Sequence, residues 1–141
     1  MYLIDTNVIS ELRRRKPHGA VQAWFASIAP QDIQIPAVAI GELQDGVELT
    51  RPQDPAKAAE IERWIERIML SFVVVTMDGD TFRETARLMA GKSDDLFADA
   101  MIAATARVHR LTIVTRNVRD FAPFNVPVFD PFSGKLHRPR P

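Results

Sequence analysis

The sequence predicts an α/β domain with a mostly parallel central sheet of four to five strands flanked by helices. Short apolar runs without turn residues recur along the chain, and longer segments with apolar residues at helical spacing separate them. No repeat, low-complexity block or linker interrupts this alternation, and 141 residues suit one domain. Alternation of this kind is typical of a parallel sheet covered by helices.

The predicted strands are short and apolar. The first run ends directly at Asp5. The run at 72–75 is the most strand-like, because its residues are β-branched and aromatic. In chain order, the predicted strands are residues 2–4, 33–35, 72–75, 111–114 and 126–129.

The predicted helices carry apolar residues on one face, and caps or breaks mark their ends. We expect Thr6 and Asn7 to cap the first helix, and Pro36 to occupy the first turn of the third. Asn117 and Asp120 have the spacing of a capping box. The segment Ser93-Asp94-Asp95 is expected to cap the helix that follows it. The predicted helices are residues 6–12, 19–29, 36–50, a long segment after the break at 51–55, 78–90, 96–109 and 117–121.

The composition excludes several classes of protein. Basic and acidic residues both number 18, so the formal net charge is zero, whereas a protein that coats nucleic acid is basic overall. The absence of cysteine excludes disulfides, zinc–thiolate sites and cysteine nucleophiles. No segment has the length of an apolar membrane span, and Asp5 interrupts the apolar start, so we expect no signal peptide and a cytoplasmic protein.

Acidic residues of several predicted elements are placed where their side chains can reach one edge of the predicted sheet. Asp5 follows the first strand, at the carboxyl edge where open α/β sheets bind ligands. Asp99 shares a helix face with Ile102 and Ala103, and a buried carboxylate needs a cation or another partner. The alternative is that Asp99 pairs with an arginine or caps a neighbouring backbone. Glu42 also shares a face with apolar residues, although by itself it would be a surface glutamate.

A second polar group follows the fourth predicted strand. Thr115, Asn117 and Asp120 come directly after residues 111–114, so Asp5 and Asn117 emerge together if the first and fourth strands are neighbours. Several carboxylates at one place cannot all stay charged without a cation. Ligands that are all oxygen, with no cysteine and no suitably spaced histidine, select Mg²⁺ or Mn²⁺ over zinc. Such sites usually serve phosphate chemistry.

Four segments in this order resemble the PIN domain, and more closely the VapC-type toxins of bacterial toxin–antitoxin pairs. They are IDTNVISEL at the start, Glu42 after a short strand, FADAMIAATA, and VTRNVRDF, and the closing VPVFDPF is also similar. The resemblance covers essentially the whole chain. It implies a PIN-like three-layer domain over residues 1–131, followed by a basic, proline-rich tail at residues 132–141. We expect disorder at residues 135–141, because a short basic terminus is usually disordered.

The resemblance also implies a function and its residues. It implies a Mg²⁺-dependent endoribonuclease that forms a homodimer and is held inactive by a cognate antitoxin, whose helix enters a hydrophobic groove among the early helices. Asp5 and Asp99 match the principal metal ligands, and Glu42 matches the third acidic position. Asn117 stands where the family often has aspartate, so Asp120, one helical turn further on, is the candidate fourth catalytic residue. The expected supporting residues are Thr6, Asn7, Thr115 and Asn117.

Basic residues near these positions are candidate RNA contacts. One group follows the first helix and would contact the RNA backbone near the Asp5 edge, unless it is only a solvated helix end. A second group flanks Asn117, where it would offset the repulsion of RNA by the acidic site or pair with the carboxylates. The candidates are Arg13, Arg14, Arg15, Lys16, Arg116 and Arg119.

Other classes of protein share some of these features. A non-catalytic α/β binding module would use the acidic residues as caps and ion pairs. A metal-dependent DNase of the same topology would carry the same site, because a metal–phosphate site does not tell RNA from DNA. A phosphatase or receiver domain needs a lysine near the phosphate, but no lysine follows a predicted strand. The second aspartate of such a phosphatase would fall at Asn7.

Overall fold

Six strands form one central sheet in the computed structural model, which describes all 141 residues. They are β1 (Tyr2–Ile4), β2 (Ile33–Pro36), β3 (Val73–Val75), β4 (Thr112–Val114), β5 (Val128–Asp130) and β6 (Lys135–His137). In space the order is β3-β2-β1-β4-β5-β6. The first five strands pair in parallel, and β6 pairs with β5 in the antiparallel direction. The mostly parallel sheet is therefore confirmed, with one strand more than expected.

Seven α-helices connect the strands. They are α1 (Thr6–Arg13), α2 (Gly19–Ser27), α3 (Ala37–Thr50), α4 (Pro55–Ser71), α5 (Gly79–Met89), α6 (Phe97–His109) and α7 (Val118–Phe121). Successive side chains of a strand point to opposite faces, so Leu3 and Ile4 belong to different hydrophobic clusters. Ile4 packs with residues of α1 to α4, whereas Leu3 packs with residues of α6. Helices thus cover both faces of the sheet, which gives the expected three layers.

The central pair of strands sets the position of the polar residues that follow them. In the register of β1 and β4, Leu3 lies opposite Ile113 and Ile4 lies opposite Val114. The Asp5 N–H continues this ladder by donating to the Val114 carbonyl at 2.9 Å. Asp5 and Thr115 therefore leave the sheet side by side at its carboxyl edge. The first and fourth strands are thus neighbours, which is the condition under which Asp5 and Asn117 were expected to emerge together.

Every predicted strand and helix is present, but the predicted starts of α3 and α6 were wrong in detail. Pro36 has an extended backbone, with φ −69° and ψ 139°, and it ends β2 instead of entering α3. Proline is tolerated here, because the last residue of a strand before a helix does not need to donate a backbone hydrogen bond. The segment after Ser93 forms a short 3₁₀ turn, Asp94–Leu96, before α6, and the Ser93 side chain forms no capping hydrogen bond.

The C-terminal tail is ordered, in contrast to the disorder expected for it. Leu136 lies opposite Phe129 in the β5–β6 pair. The Asn125 side chain then holds the end of the chain: its Nδ2 donates to the Arg140 carbonyl at 3.1 Å, and its Oδ1 accepts from the Arg140 N–H at 2.7 Å. The side chains of this segment are exposed and bury little apolar surface. Its order therefore comes from hydrogen bonds of the backbone. No helix of the chain has the length and apolar character needed to cross a membrane.

Candidate functional site

Asp5 lies between the end of β1 and the start of α1, and its two carboxylate oxygens have different partners. Oδ1 accepts from the Thr6 N–H at 2.8 Å, so Asp5 is itself the N-cap of α1. Oδ2 accepts from Thr115 Oγ1 at 2.8 Å and from Asn7 Nδ2 at 3.2 Å. The expectation that Thr6 and Asn7 cap this helix was therefore wrong, because both side chains are used within the site instead.

Thr115 is the buried centre of these hydrogen bonds. It is 0% exposed, and its hydroxyl donates to Asp5 Oδ2. Thr115 Oγ1 also accepts from Asn7 Nδ2 and from the Asn117 N–H, both at 3.1 Å. A hydroxyl has one donor and two acceptor positions, and all three are used here. Thr115 therefore fixes the orientation of the Asp5 carboxylate and ties the end of β4 to α1.

Glu42 reaches the same edge of the sheet from α3. Its side chain is exposed, and Oε1 accepts a hydrogen bond from Thr6 Oγ1 at 2.9 Å. This bond joins the first turn of α1 to the second turn of α3. Its negative charge also raises the pKa of Asp5. Glu42 is thus placed beside Asp5 and is more than an isolated surface glutamate.

Asp99 faces the other carboxylates from the first turn of α6. It forms no salt bridge and no side-chain hydrogen bond, so the alternative that it pairs with an arginine or caps a backbone was wrong. Burial, and then the charges of Asp5, Asp120 and Glu42, raise the pKa of Asp99 to about 6. A helix N-terminus favours a negative charge, yet burial and repulsion dominate here. A cation at this position would relieve both effects.

The pKa of Asp5 is also raised above its ordinary value. Burial is the largest cause, and the charges of Glu42 and Asp120 act in the same direction. The hydrogen bonds from Thr115 and from the Thr6 N–H oppose this rise, since they stabilise the charged form. The four predicted catalytic carboxylates thus lie within electrostatic reach of one another, although they come from four separate elements.

Asn117 and Asp120 do not form the capping box that their spacing suggested. Asn117 precedes α7, but its side chain forms no capping hydrogen bond. Its backbone N–H donates to Thr115 instead. Asp120 is exposed and forms no salt bridge, so its carboxylate is free to face the other acidic residues. Both side chains therefore remain available to a ligand.

The side chains at this edge form an acidic pocket, defined by Asp5, Glu42, Asp99 and Asp120. All donors there are oxygen atoms, which suits Mg²⁺ or Mn²⁺. No three acidic or histidine side chains of the chain converge to the spacing of direct metal ligands. A small, strongly hydrated cation fits such an open arrangement, because Mg²⁺ usually keeps several waters and takes only one or two carboxylates. The donor set therefore fits a Mg²⁺ ion bound largely through water.

The basic residues that follow α1 lie away from the acidic pocket. Asp5 caps the start of α1 and Arg13 is its last residue, so the helix separates them by about 12 Å at 1.5 Å per residue. Arg13, Arg14, Arg15 and Lys16 instead line an open cleft together with Lys57 and Glu60. This group therefore lies at the opposite end of α1 from Asp5, and its contact with RNA stays a prediction beside the alternative of a solvated helix end. Arg116, by contrast, lies directly beside Thr115 at that edge.

Glu11 is a buried acidic residue whose role the sequence did not reveal. It is 7% exposed, and its Oε1 accepts from the His18 N–H at 2.8 Å. Its Oε2 forms a salt bridge with Arg14 at 3.3 Å. Glu11 therefore closes the loop between α1 and α2. In the sequence, Glu11 is marked only by its place beside apolar residues of α1. That pattern does not distinguish a buried glutamate from one on the surface of the helix.

A parallel α/β sheet that gathers carboxylates from four elements at one edge defines a class of domain with an acidic pocket at the carboxyl ends of its strands. Within this class, the chain belongs to the PIN domain family, whose sequence profile matches residues 2–124. The match contains Asp5, Glu42, Asp99 and Asp120. The family suggested by the sequence motifs is therefore confirmed.

Similar proteins agree with this assignment over most of the chain. Toxin FitB of Neisseria gonorrhoeae is 34% identical over 139 residues, covering 94% of this chain and 99% of that protein. The crystal structure of FitAcB from the same organism superimposes with a TM-score of 0.83 over 94% of this chain and 99% of that one. VapC ribonuclease Y4jK of Sinorhizobium fredii is 30% identical over 138 residues, covering 94% and 98%. A toxin–antitoxin complex from Klebsiella pneumoniae matches with a TM-score of 0.67 and 26% identity over 93% and 98%.

Proposed function

We propose that the protein is a Mg²⁺-dependent endoribonuclease that acts as the toxin of a toxin–antitoxin pair. The observation that carries this proposal is the acidic pocket, in which four carboxylates from β1, α3, α6 and α7 face one another with too few partners to balance their charge. A divalent cation is the simplest group to balance it, and a phosphodiester is the substrate class such a cation serves. Relatives of the chain include a protein named a VapC ribonuclease.

Each residue of the pocket has a role in this proposal. Asp5 and Asp99 would hold the ion, and Glu42 or Asp120 would orient the attacking water and accept its proton. Bound there, Mg²⁺ would neutralise charge on the phosphoryl group and lower the pKa of the water. Thr115 keeps the Asp5 carboxylate in one orientation, so that the ligand atoms need little rearrangement.

The reaction is tested with wild-type protein and a panel of structured RNAs, in Mg²⁺ and in EDTA. We expect cleavage only with Mg²⁺, and a loss on the order of a hundredfold or more in Asp5→Asn, because its charge stabilises the ion. Asparagine is also a good N-cap, and thermal unfolding of the variant checks that its fold is kept. Asp45→Asn, on the exposed face of α3, is the matched control and should cleave like the wild type.

Three results would contradict the proposal. If the wild-type protein leaves every RNA intact, the proposed ribonuclease activity is wrong. If cleavage continues in EDTA, the proposed role of the ion is wrong. Cleavage of DNA in preference to RNA would favour the DNase alternative, because the same pocket suits both polymers.

The partner we propose is a small antitoxin, as in the toxin–antitoxin complex from Klebsiella pneumoniae. The apolar gap beneath α1, α2 and α4 has a volume of about 10 Å³ and is lined mainly by buried core residues, so it is too small to receive a partner helix. The groove for the antitoxin therefore stays a prediction. It is tested by whether the small protein encoded in the neighbouring reading frame binds this chain and inhibits RNA cleavage. The homodimer stays a prediction, to be tested by sedimentation of the purified chain.

A further inference from the structure

Arg116 is an unpaired cation held in place beside the acidic pocket. Its backbone N–H donates to Asn7 Oδ1 at 3.2 Å. Its guanidinium lies over the ring of Phe132, with Cζ 4.6 Å from the ring centroid. The guanidinium forms no salt bridge, although the chain has five such pairs. Its N–H donors are therefore free, while its planar face is supported by an aromatic ring.

A tight turn after β5 sets the position of Phe132. The Asp130 carboxylate accepts from the Phe132 N–H at 2.9 Å and from Ser133 Oγ at 3.0 Å. The Gly134 N–H donates to the Asp130 carbonyl at 2.8 Å, and Gly134 has a φ of 77°, which favours glycine. The His18 ring packs against Phe132, with centroids 5.1 Å apart. Asp130 keeps its negative charge and lines the same cleft as Arg116, but these bonds hold its carboxylate in the turn and it forms no salt bridge with Arg116.

The guanidinium borders a cleft that adjoins the acidic pocket. The cleft has a volume of about 400 Å³, and its lining includes the cations Arg116 and Arg119, the carboxylates Asp120 and Asp130, and Asn117. Asp120 belongs to both the cleft and the acidic pocket. RNA is a polyanion that the carboxylates of the pocket repel, so a bound strand needs a cation next to them. The planar fork of arginine donors matches the oxygens of a phosphate.

We propose that this cleft binds the RNA phosphate next to the scissile one, with Arg116 as its contact and Phe132 as the residue that positions Arg116. This assignment rests on the proposed ribonuclease function. An acidic group of the antitoxin is the competing ligand. RNA is favoured because the cleft continues directly from the pocket in which cleavage is proposed.

The test measures binding and cleavage separately. Binding of a fluorescent single-stranded RNA is followed by anisotropy in EDTA over a series of salt concentrations, and cleavage kinetics are measured in Mg²⁺. We expect Arg116→Gln to weaken binding about tenfold, the loss of one charged hydrogen-bonded contact. Its salt dependence, as log K against log salt, should become shallower by about 0.7, which is one phosphate contact on a single strand. In cleavage, KM should rise and kcat should stay nearly constant.

Variants at Phe132 and a control separate positioning from charge. Phe132→Leu should weaken binding severalfold but keep the wild-type salt slope, since the guanidinium charge remains. Phe132→Trp, which keeps an aromatic face, should restore binding. Arg110→Gln removes the same charge from an exposed residue just before β4, at the opposite edge of the sheet, and should bind like the wild type.

The outcomes distinguish this proposal from the proposed function. If wild-type protein cleaves RNA but Arg116→Gln keeps its affinity and salt slope, the phosphate contact is wrong. If Arg116→Gln weakens only inhibition by the antitoxin, the ligand is the protein partner and the proposal also fails. If wild-type protein does not cleave RNA, the proposed function fails first, and the assignment of the cleft fails with it.

Discussion

The raised pKa of Asp99 makes this carboxylate a cost to the fold at neutral pH when no cation is bound. Its pKa rises from an ordinary 3.8 to about 6. Between these values the folded protein binds more protons than the unfolded chain, so the free energy of unfolding falls as the pH rises. Above pH 6 the full cost is present. We therefore expect Asp99→Asn, which removes the charge and keeps the shape, to stabilise the metal-free protein.

The size of this effect follows from the shift in pKa. A difference of about two units corresponds to about 3 kcal/mol at 1.36 kcal/mol per unit, which is an upper limit. Asp99 is only partly buried, and solvent screens its charge, so we expect about 1 kcal/mol. In a chain of this size, 1 kcal/mol shifts the melting temperature by about 2–4 °C.

The assay is thermal unfolding followed by circular dichroism, in EDTA, at two pH values. At pH 7.5 Asp99→Asn should melt about 2–4 °C above the wild type. At pH 4.5 the difference in free energy should fall to about a third, because Asp99 is then protonated in the folded protein. Adding Mg²⁺ should raise the melting temperature of the wild type and close the gap, since the variant has lost a ligand.

The control for this experiment is Asp45→Asn, which removes an exposed carboxylate from α3 and should leave the melting temperature unchanged. The reasoning is refuted if Asp99→Asn is no more stable than the wild type in EDTA at pH 7.5. It is equally refuted if the gap is as large at pH 4.5, because the cause would then not be the charge.

Three further predictions concern residues that hold the site and the ends of the chain. Thr115→Val should lower the free energy of unfolding by about 1–3 kcal/mol in urea and slow cleavage about 10–100-fold, since buried partners lose their hydrogen bonds; wild-type values for both would contradict its central role. The pKa of Glu11 is lowered, first by the hydrogen bond from the His18 N–H, so its stabilising effect is present above its ordinary value of 4.5 and lost as the pH falls. Glu11→Gln should thus reduce the melting temperature at pH 7, by an amount that shrinks as the pH falls below 4.5, and a gap independent of pH would exclude this explanation. Deleting residues 135–141 should reduce hydrogen-exchange protection of β5 while cleavage persists, and unchanged protection would show that β6 contributes nothing.

Much of the fold was predictable because its signals are local. Apolar runs, helical spacing and breaks identify each strand and helix that the sequence predicted, since each pattern arises within a few neighbouring residues. β6 lacked such a signal: its side chains are exposed, and backbone pairing with β5 places it in the sheet. A strand of that kind cannot be predicted from its own residues, because it is defined by pairing with a neighbouring strand.

The same distinction applies to the acidic pocket. The sequence by itself determined that Asp5 follows a strand, that the donors are oxygens, and that the motifs match a known family. Only the tertiary structure decided that β1 and β4 are neighbours, so that Thr115 meets Asp5 across 110 positions of chain. It also decided that Thr6 donates to Glu42, which leaves Asp5 to cap its own helix. The physical reason is that a hydrogen bond depends on which groups are closest in space, and folding brings together groups that the chain order keeps apart.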